Sequence, residues 1–317
     1  MRRPASAVWR VWRGEAGYPE CLEQLADRAP KALYGLGDLD LLREVDPDGT
    51  VTIVGSRRSG LYGREMARDL GFGAAAAGLV VVSGMAHGCD SEAHEGALDA
   101  NGATIAVLGG APDVPYPRSK ASLHARLLDS GGVVFSEHPP GTELRPGFFP
   151  ARNRIMAALA KVTVIVEGAF RSGTSTTVRE AEGLGRELVA VPGPANSSLS
   201  ELPNSLIKDG APMICDAQDL LDATLGVGRL SVRGVGPELE PQLRVALLAV
   251  EGGASTCDAV ALEARAEGGA AAVALARLEL MGYVVGNAVG SYARTTLAAP
   301  APALALPTKP GRLPHAG

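Results

Sequence analysis

Val51-Thr52-Ile53-Val54-Gly55-Ser56-Arg57-Arg58-Ser59-Gly60-Leu61-Tyr62-Gly63 decides the fold class of this 317-residue chain. Apolar and β-branched residues run unbroken into a glycine-rich turn, and helix-compatible sequence follows over Tyr62–Ala77. A continuously apolar strand suits a sheet covered on both faces, the habit of parallel sheets. A glycine turn leading from such a strand into a helix opens a βαβ unit. The helix start offers backbone N–H groups and the positive end of its dipole, which suit an anion. Arg57 and Arg58 add fixed charge and forked donors that match phosphate.

The pattern repeats downstream. Further strand-like runs are Leu79–Val82, Thr104–Leu108, Val133–Phe135, Val162–Val166 and Leu188–Val191, with a second helix over Ser91–Ala100. This alternation predicts an α/β domain over 51–225, a Rossmann-like doubly wound, mostly parallel sheet with ligands at the carboxyl ends of its strands. Residues 1–50 read as a lead-in packed on that domain, and residues 1–13, arginine-rich and without acids, as a disordered start. Residues 226–240 read as a linker. Over 241–297 the sequence predicts a small winged-helix-like domain. One helix opens at Pro241, a second is capped by Ser255 and runs to Ala264, a third spans Ala270–Met281, and a hairpin runs from Gly282 through Tyr292. Residues 298–317, rich in Ala and Pro, read as a disordered tail.

Bulk properties narrow the function. The formal charge of −5 argues against a broad basic surface that coats duplex DNA, and makes the placement of the arginines the question. Cys21, Cys89, Cys215 and Cys257 form no CxxC motif and fit a reducing cytoplasm. No apolar run follows Met1-Arg2-Arg3, and none reaches spanning length, so a cytoplasmic location without membrane contact is expected.

Three more loops carry polar chemistry. Ser83-Gly84-Met85-Ala86-His87-Gly88-Cys89-Asp90 follows the second strand, and Asp90 reads as a helix N-cap. No acid ends that strand to hold a ribose, the first turn is not GxGxxG, and no Walker sequence occurs, so neither a nicotinamide cofactor nor ATP hydrolysis is indicated. His87, Glu92, His94 and Glu95 raise the question of a metal, but their spacing matches no ligand motif and none is assigned. In Gly147-Phe148-Phe149-Pro150-Ala151-Arg152-Asn153-Arg154-Ile155-Met156, Arg152 and Arg154 flank Asn153 at a helix start. Phe149 beside them supplies a ring for base stacking, while Phe148 fits a core position equally well. Arginines for phosphates plus an aromatic for bases is what a single strand of nucleic acid needs. The last loop begins at Glu167, follows a strand, and carries Arg171, Ser172 and Gly173 where it opens a helix. Convergence of these loops on one sheet edge marks a binding site.

The quoted loops resemble the DprA/Smf family of DNA-processing proteins. The likeness runs in order through most of residues 18–222. Besides the loops, it includes His94-Glu95-Gly96-Ala97-Leu98, Tyr116-Pro117, Ser136-Glu137, Pro139-Pro140-Gly141 and Val191-Pro192-Gly193-Pro194, and the Phe149–Arg154 string is its most specific part. The resemblance implies a protein of extended Rossmann fold without cofactor or catalytic residues. It would bind single-stranded DNA, dimerise, and load a RecA-type recombinase during natural transformation. Ser56, Arg57, Ser83, Gly84, Phe149, Arg152 and Asn153 would line the strand-binding pocket, with Gly55, Arg58, Arg145, Arg154, Arg171, Ser172 and Gly173 as further phosphate-binding candidates. His87 and Cys89 depart from the basic and isoleucine residues usual in the second loop, and Leu202-Pro203-Asn204 departs from the usual approach to the Asn-x-Leu-Ile string.

Two other readings compete. The expected fold also resembles that of nucleotide-monophosphate phosphoribohydrolases, whose mark is a Gly-Gly-x-Gly-Thr-x-x-Glu loop. Here Thr177 stands at the Glu position, and Glu180 lies about 4–5 Å further along the helix axis, so the acid–base agent for cleaving an N-glycosidic bond is missing. The other is a nucleotide-binding Rossmann sensor that binds without cleaving. In the C-terminal module the would-be recognition helix carries only Arg277, with Glu279 beside it, which favours a protein-contact or structural role over reading a DNA groove.

Overall fold

A computed structural model describes residues 8–227, 237, 239–286 and 290–294. The chain divides into two compact units, Met1–Val232 and Arg233–Gly317. The tail read over 298–317 and most of the segment 228–238 lie outside the described residues.

The first unit is built on one eight-stranded sheet: β1 (Trp9–Trp12), β2 (Ala32–Gly37), β3 (Thr50–Val54), β4 (Val80–Ser83), β5 (Thr104–Val107), β6 (Val133–Ser136), β7 (Val162–Ile165) and β8 (Glu187–Ala190). Their spatial order is β1-β2-β6-β5-β4-β3-β7-β8. The pairs among β3 to β8 are parallel, whereas β2 runs antiparallel to both β1 and β6. This is the doubly wound Rossmann-like sheet that the apolar runs predict over β3 to β8, extended by β1 and β2 as the family resemblance implies. The helices are α1 (Leu39–Arg43), α2 (Leu61–Ala76), α3 (Cys89–Asp99), α4 (Ala121–Asp129), α5 (Phe148–Leu159), α6 (Gly173–Gly183), α7 (Glu201–Lys208) and α8 (Ala217–Leu225).

Every residue of β3, β5, β6 and β7 is buried, as two-sided coverage requires. Val51 and Ile53 face a core shared with α2, α3 and α8, while Val54 and Phe135 face one shared with α5 and the N-terminal segment. Chain order reverses between β3 and β7. In open α/β sheets that crevice is the usual ligand position.

The disordered start expected for residues 1–13 is corrected over Trp9–Trp12, which form the edge strand; residues 1–7 lie outside the described residues. Trp9 and Val11 turn toward the core while Arg10 and Trp12 stay exposed, a period-two pattern that the arginine content had hidden. Gly35 makes room for Trp9: a Cβ there would collide with the Trp9 ring. The lead-in therefore supplies two strands to the sheet itself.

The second unit contains α9 (Pro241–Glu251), α10 (Cys257–Glu263) and α11 (Gly268–Leu280), then an antiparallel ribbon of β9 (Val284–Gly286) and β10 (Tyr292–Arg294). Leu243, Leu247, Val260, Leu275, Leu278 and Tyr283 form its own core. Thr256, not Ser255, caps α10, accepting the Ala259 N–H at 3.3 Å. Arg277 is held in a two-pronged pair by Glu240 at 3.0 and 2.8 Å, and Glu279 accepts the Gly286 N–H at 2.8 Å.

Candidate nucleic-acid interface

The loops leaving β3, β4 and β5 and the first turn of α5 meet around a small cleft at the carboxyl edge of the sheet. Arg57, Gly84, His87, Tyr116, Phe149 and Arg152 line it, around a space of about 90 Å³. The Arg57 guanidinium lies 4.7 Å over the Phe149 ring, and Tyr116 packs on the same ring with centroids 5.1 Å apart. Arg57 is exposed and Phe149 half-buried, so the cation and the ring both remain reachable.

Arg152 plays a different part. It is 3% exposed, donates to the Val107 carbonyl, and fits only because Gly84 has no side chain, since a Cβ there would collide with the guanidinium. Burial, and then the nearby Arg57 charge, push its pKa down to about 10, while Asp90 opposes them. It stays cationic at neutral pH. Asp90 is buried nearby, with no direct ion pair to Arg152 among the described residues. Burial pushes its carboxyl pKa up; Arg152, then the backbone N–H groups of Ala86 and Gly55, pull it down. The N-cap reading of Asp90 is thereby corrected: Gly88 holds that position, and Asp90 is in the first turn of α3, beneath the cleft.

The helix start of the first loop is also corrected as a free anion site. The carboxylate of Glu167, in the turn after β7, accepts the Gly60 N–H at 3.0 Å, and a Cβ at Gly63 would strike it. Burial raises the Glu167 pKa and the N–H groups of Gly60 and Gly63 lower it. The crevice between β3 and β7 thus holds an anion of the protein's own, and the open cleft lies toward β4 and β5.

The other candidates divide into scaffold and surface. Gly55 allows Cys89 to pack against the loop, Ser56 accepts the Arg58 N–H at 3.1 Å, and the Ser83 hydroxyl is spent on the Ile53 carbonyl at 2.7 Å. Asn153 donates to the Gly173 carbonyl at 3.2 Å, tying α5 to the start of α6. Ser172 is the N-cap residue of α6, with no hydrogen bond to its hydroxyl. Arg154 is held by both Glu137 oxygens at 2.8 and 2.7 Å and by the Arg28 carbonyl at 2.8 Å, which commits it to the fold. Arg58, Arg145 and Arg171 are exposed, and no ion pair is recorded for them among the described residues. The residues raised as metal ligands disperse: His94 is buried against Thr104 at 2.7 Å, Glu92 pairs with Arg68 and Glu95 with Arg126, leaving His87 at the cleft. Thr177 is buried and Glu180 pairs with Arg28 at 2.8 Å, so neither offers a free carboxylate for hydrolysis.

Sequence reasoning gave no role to Glu167, no ring role to Tyr116 and no stacking role to His138, which lies 3.9 Å from the Phe148 ring. Partners so distant in sequence leave no local spacing to read. Among the described residues no helix is long and apolar enough to cross a membrane.

Residues 9–225 match the family model of DNA recombination-mediator protein A. A DprA-named protein of Mycobacterium tuberculosis is 40% identical over 64% of this chain and 51% of its own length. Protein Smf of Escherichia coli is 39% identical over 65% of this chain and 54% of its own length. The chain thus spans about half the length of these two curated relatives. Among solved structures, DNA processing protein A of Streptococcus pneumoniae superposes with a TM-score of 0.62 at 36% identity, over 68% of this chain and 74% of that one. DNA processing protein A of Helicobacter pylori, described for its single-stranded DNA binding mode, gives 0.60 at 29% identity, over 69% and 96%. With the Rossmann-like sheet, the glycine-arginine first loop and the Phe149–Arg154 string in their places, the chain belongs to the family of DNA recombination-mediator protein A, the DprA/Smf proteins.

Proposed function

We propose that this chain binds single-stranded DNA along the carboxyl edge of its sheet. It would protect incoming DNA and pass it to a RecA-type recombinase during natural transformation, acting as a homodimer and without catalysing a reaction. Arg57 and Arg58 would meet phosphates, Phe149 would stack a base, and the buried Arg152 would supply positive potential from below. Arg145 and Arg171 would extend the phosphate contacts. Family membership and the description of the H. pylori relative support this reading. The observation that carries it is the reachable Arg57 cation 4.7 Å over the Phe149 ring at the cleft. That juxtaposition serves a sequence-tolerant strand, because every base has a face to stack and every nucleotide a phosphate. The cleft, at about 90 Å³, falls well short of the roughly 300–1,000 Å³ usual for small-molecule pockets, which disfavours the mononucleotide sensor. For the second unit, the engagement of Arg277 by Glu240 supports a protein-contact role over duplex reading.

Fluorescence anisotropy of a labelled oligo-dT and a matched duplex at two salt concentrations tests the proposal. Preference for the single strand, affinity falling with salt, and weaker binding by Arg57→Ala support it. Equal affinity for the duplex, or unchanged binding by Arg57→Ala, overturns it.

A further inference from the structure

Strand register carries the site beyond the cleft. Because β2 runs antiparallel to β6, with Tyr34 opposite Ser136, its beginning lies at the carboxyl end of β6. β1 turns back again, with Arg10 opposite Tyr34 and Trp12 opposite Ala32. Arg10, Tyr34 and Ser136 therefore form a row across three strands on one face of the sheet. Trp12 stands one pleat further out, on the edge that holds the cleft.

The two tryptophans of β1 are not equivalent. Trp9 lies over Gly35 and donates its indole N–H to the Gly37 carbonyl at 3.2 Å, which makes it part of the fold. Trp12 is 43% exposed, and the Arg10 guanidinium stacks 5.1 Å from its ring. No hydrogen bond of the Trp12 indole and no ion pair of Arg10 is recorded among the described residues. By contrast, the neighbouring Arg13 is held by Glu23 and Arg28 by Glu180. Between this platform and the cleft lies β6, whose following turn carries the His138–Phe148 stack.

We propose that the single strand continues from the Arg57–Phe149 cleft along the ends of β6 and β2 to a second stacking platform formed by Arg10 and Trp12. The inference rests on the single-stranded-DNA reading above and adds to it a direction and a length. Five strand spacings separate β3 from β1, roughly 24 Å at about 4.8 Å each. At about 3.4 Å per stacked nucleotide that distance takes about seven nucleotides, and fewer when the strand is stretched. The two platforms repeat one chemistry, an arginine over an aromatic ring that is at least partly exposed, which is how sequence-independent single-strand grooves are built.

The chain's only two tryptophans are Trp9 and Trp12, so intrinsic fluorescence reports on this edge. The full chain carrying Trp9→Phe leaves Trp12 as the sole emitter and is titrated with dT4 and dT12. We expect dT12 to quench Trp12 emission at saturation and dT4, seated at the cleft, to leave most of it. Trp12→Ala is expected to lower dT12 affinity at least fivefold while dT4 affinity and Tm stay unchanged. The proposal is overturned if dT12 saturates the protein without quenching and Trp12→Ala binds it normally while Arg57→Ala still weakens it; the cleft reading then stands alone. It is overturned equally if Trp12→Ala changes only concentration-dependent self-association, which assigns the platform to a second copy. If neither oligonucleotide binds, the function proposed above fails with it.

Discussion

The Glu167 carboxylate accepts the Gly60 N–H across 3.0 Å, so a side chain of the protein occupies the positive end of α2. Glycine-rich turns at helix starts usually leave that position for a phosphate. Here the carboxylate ties the turn after β7 to the loop after β3, and the exposed Arg57 and Arg58 are left as that loop's anion partners. Glu167→Ala is expected to lower stability by about 1–2 kcal/mol, the usual value of a helix-capping side chain, with Glu167→Gln costing less because its amide oxygen still accepts. Gly63→Ala should cost more in the native background than in Glu167→Ala, where the colliding carboxylate is gone. Urea unfolding of the four proteins measures this; additive effects would contradict the contact.

Arg57 and Arg152 line the same cleft but predict opposite phenotypes. Arg57 is exposed, so Arg57→Ala should leave Tm within a degree or two while dT12 affinity falls about tenfold and its salt dependence flattens. Arg152→Ala empties a buried seat and leaves the Val107 carbonyl without its donor, and is expected to cost about 1–3 kcal/mol of stability. Calorimetry beside anisotropy separates the two, and equal Tm losses would refute the distinction.

Gly84→Ala tests the floor of the cleft. The new methyl group must push the Arg152 guanidinium away from the Val107 carbonyl, so both stability and single-strand affinity should fall. A fully stable, fully binding Gly84→Ala would show that Arg152 needs no fixed seat.

His94 gives a pH signature. Burial holds its imidazole neutral and pushes its pKa from 6.5 down to about 3. The unfolded ring takes up a proton near pH 6.5, so between these values the unfolded state binds more protons. The contribution is therefore complete above about pH 6.5 and is lost as the pH falls toward 3, by at most about 1.4 kcal/mol per unit. The urea midpoint should drop from pH 7 to pH 5, and His94→Gln should lack that part of the slope. Parallel slopes in the two proteins would count against it.

How much of this was legible in the sequence follows the range of the interactions. The six strands from β3 onward were readable because burial on both faces leaves unbroken apolar runs. β1 and β2 were not, since one carries Arg10 and the other breaks its pattern with Gly35 and Gly37. Arg57, Phe149 and Arg152 were legible as chemistry, but their division of labour was not. Arg152 became a buried ion through Gly84 and Asp90, and Arg154 became a structural tie through Glu137, each partner lying far away in sequence. Glu167 carried no signal, because its meaning comes from glycines on another βα unit.

The pairing of β2 with β6 also sets a timetable for synthesis. Tyr34 leaves the ribosome about a hundred residues before its partner Ser136, and β3 waits about as long for β7. Until then the N-terminal hairpin has a bare edge and two tryptophans with no finished sheet beside them. Nascent chains that stall before β6 should therefore engage chaperones or aggregate, whereas chains stalled after β8 should already resist protease.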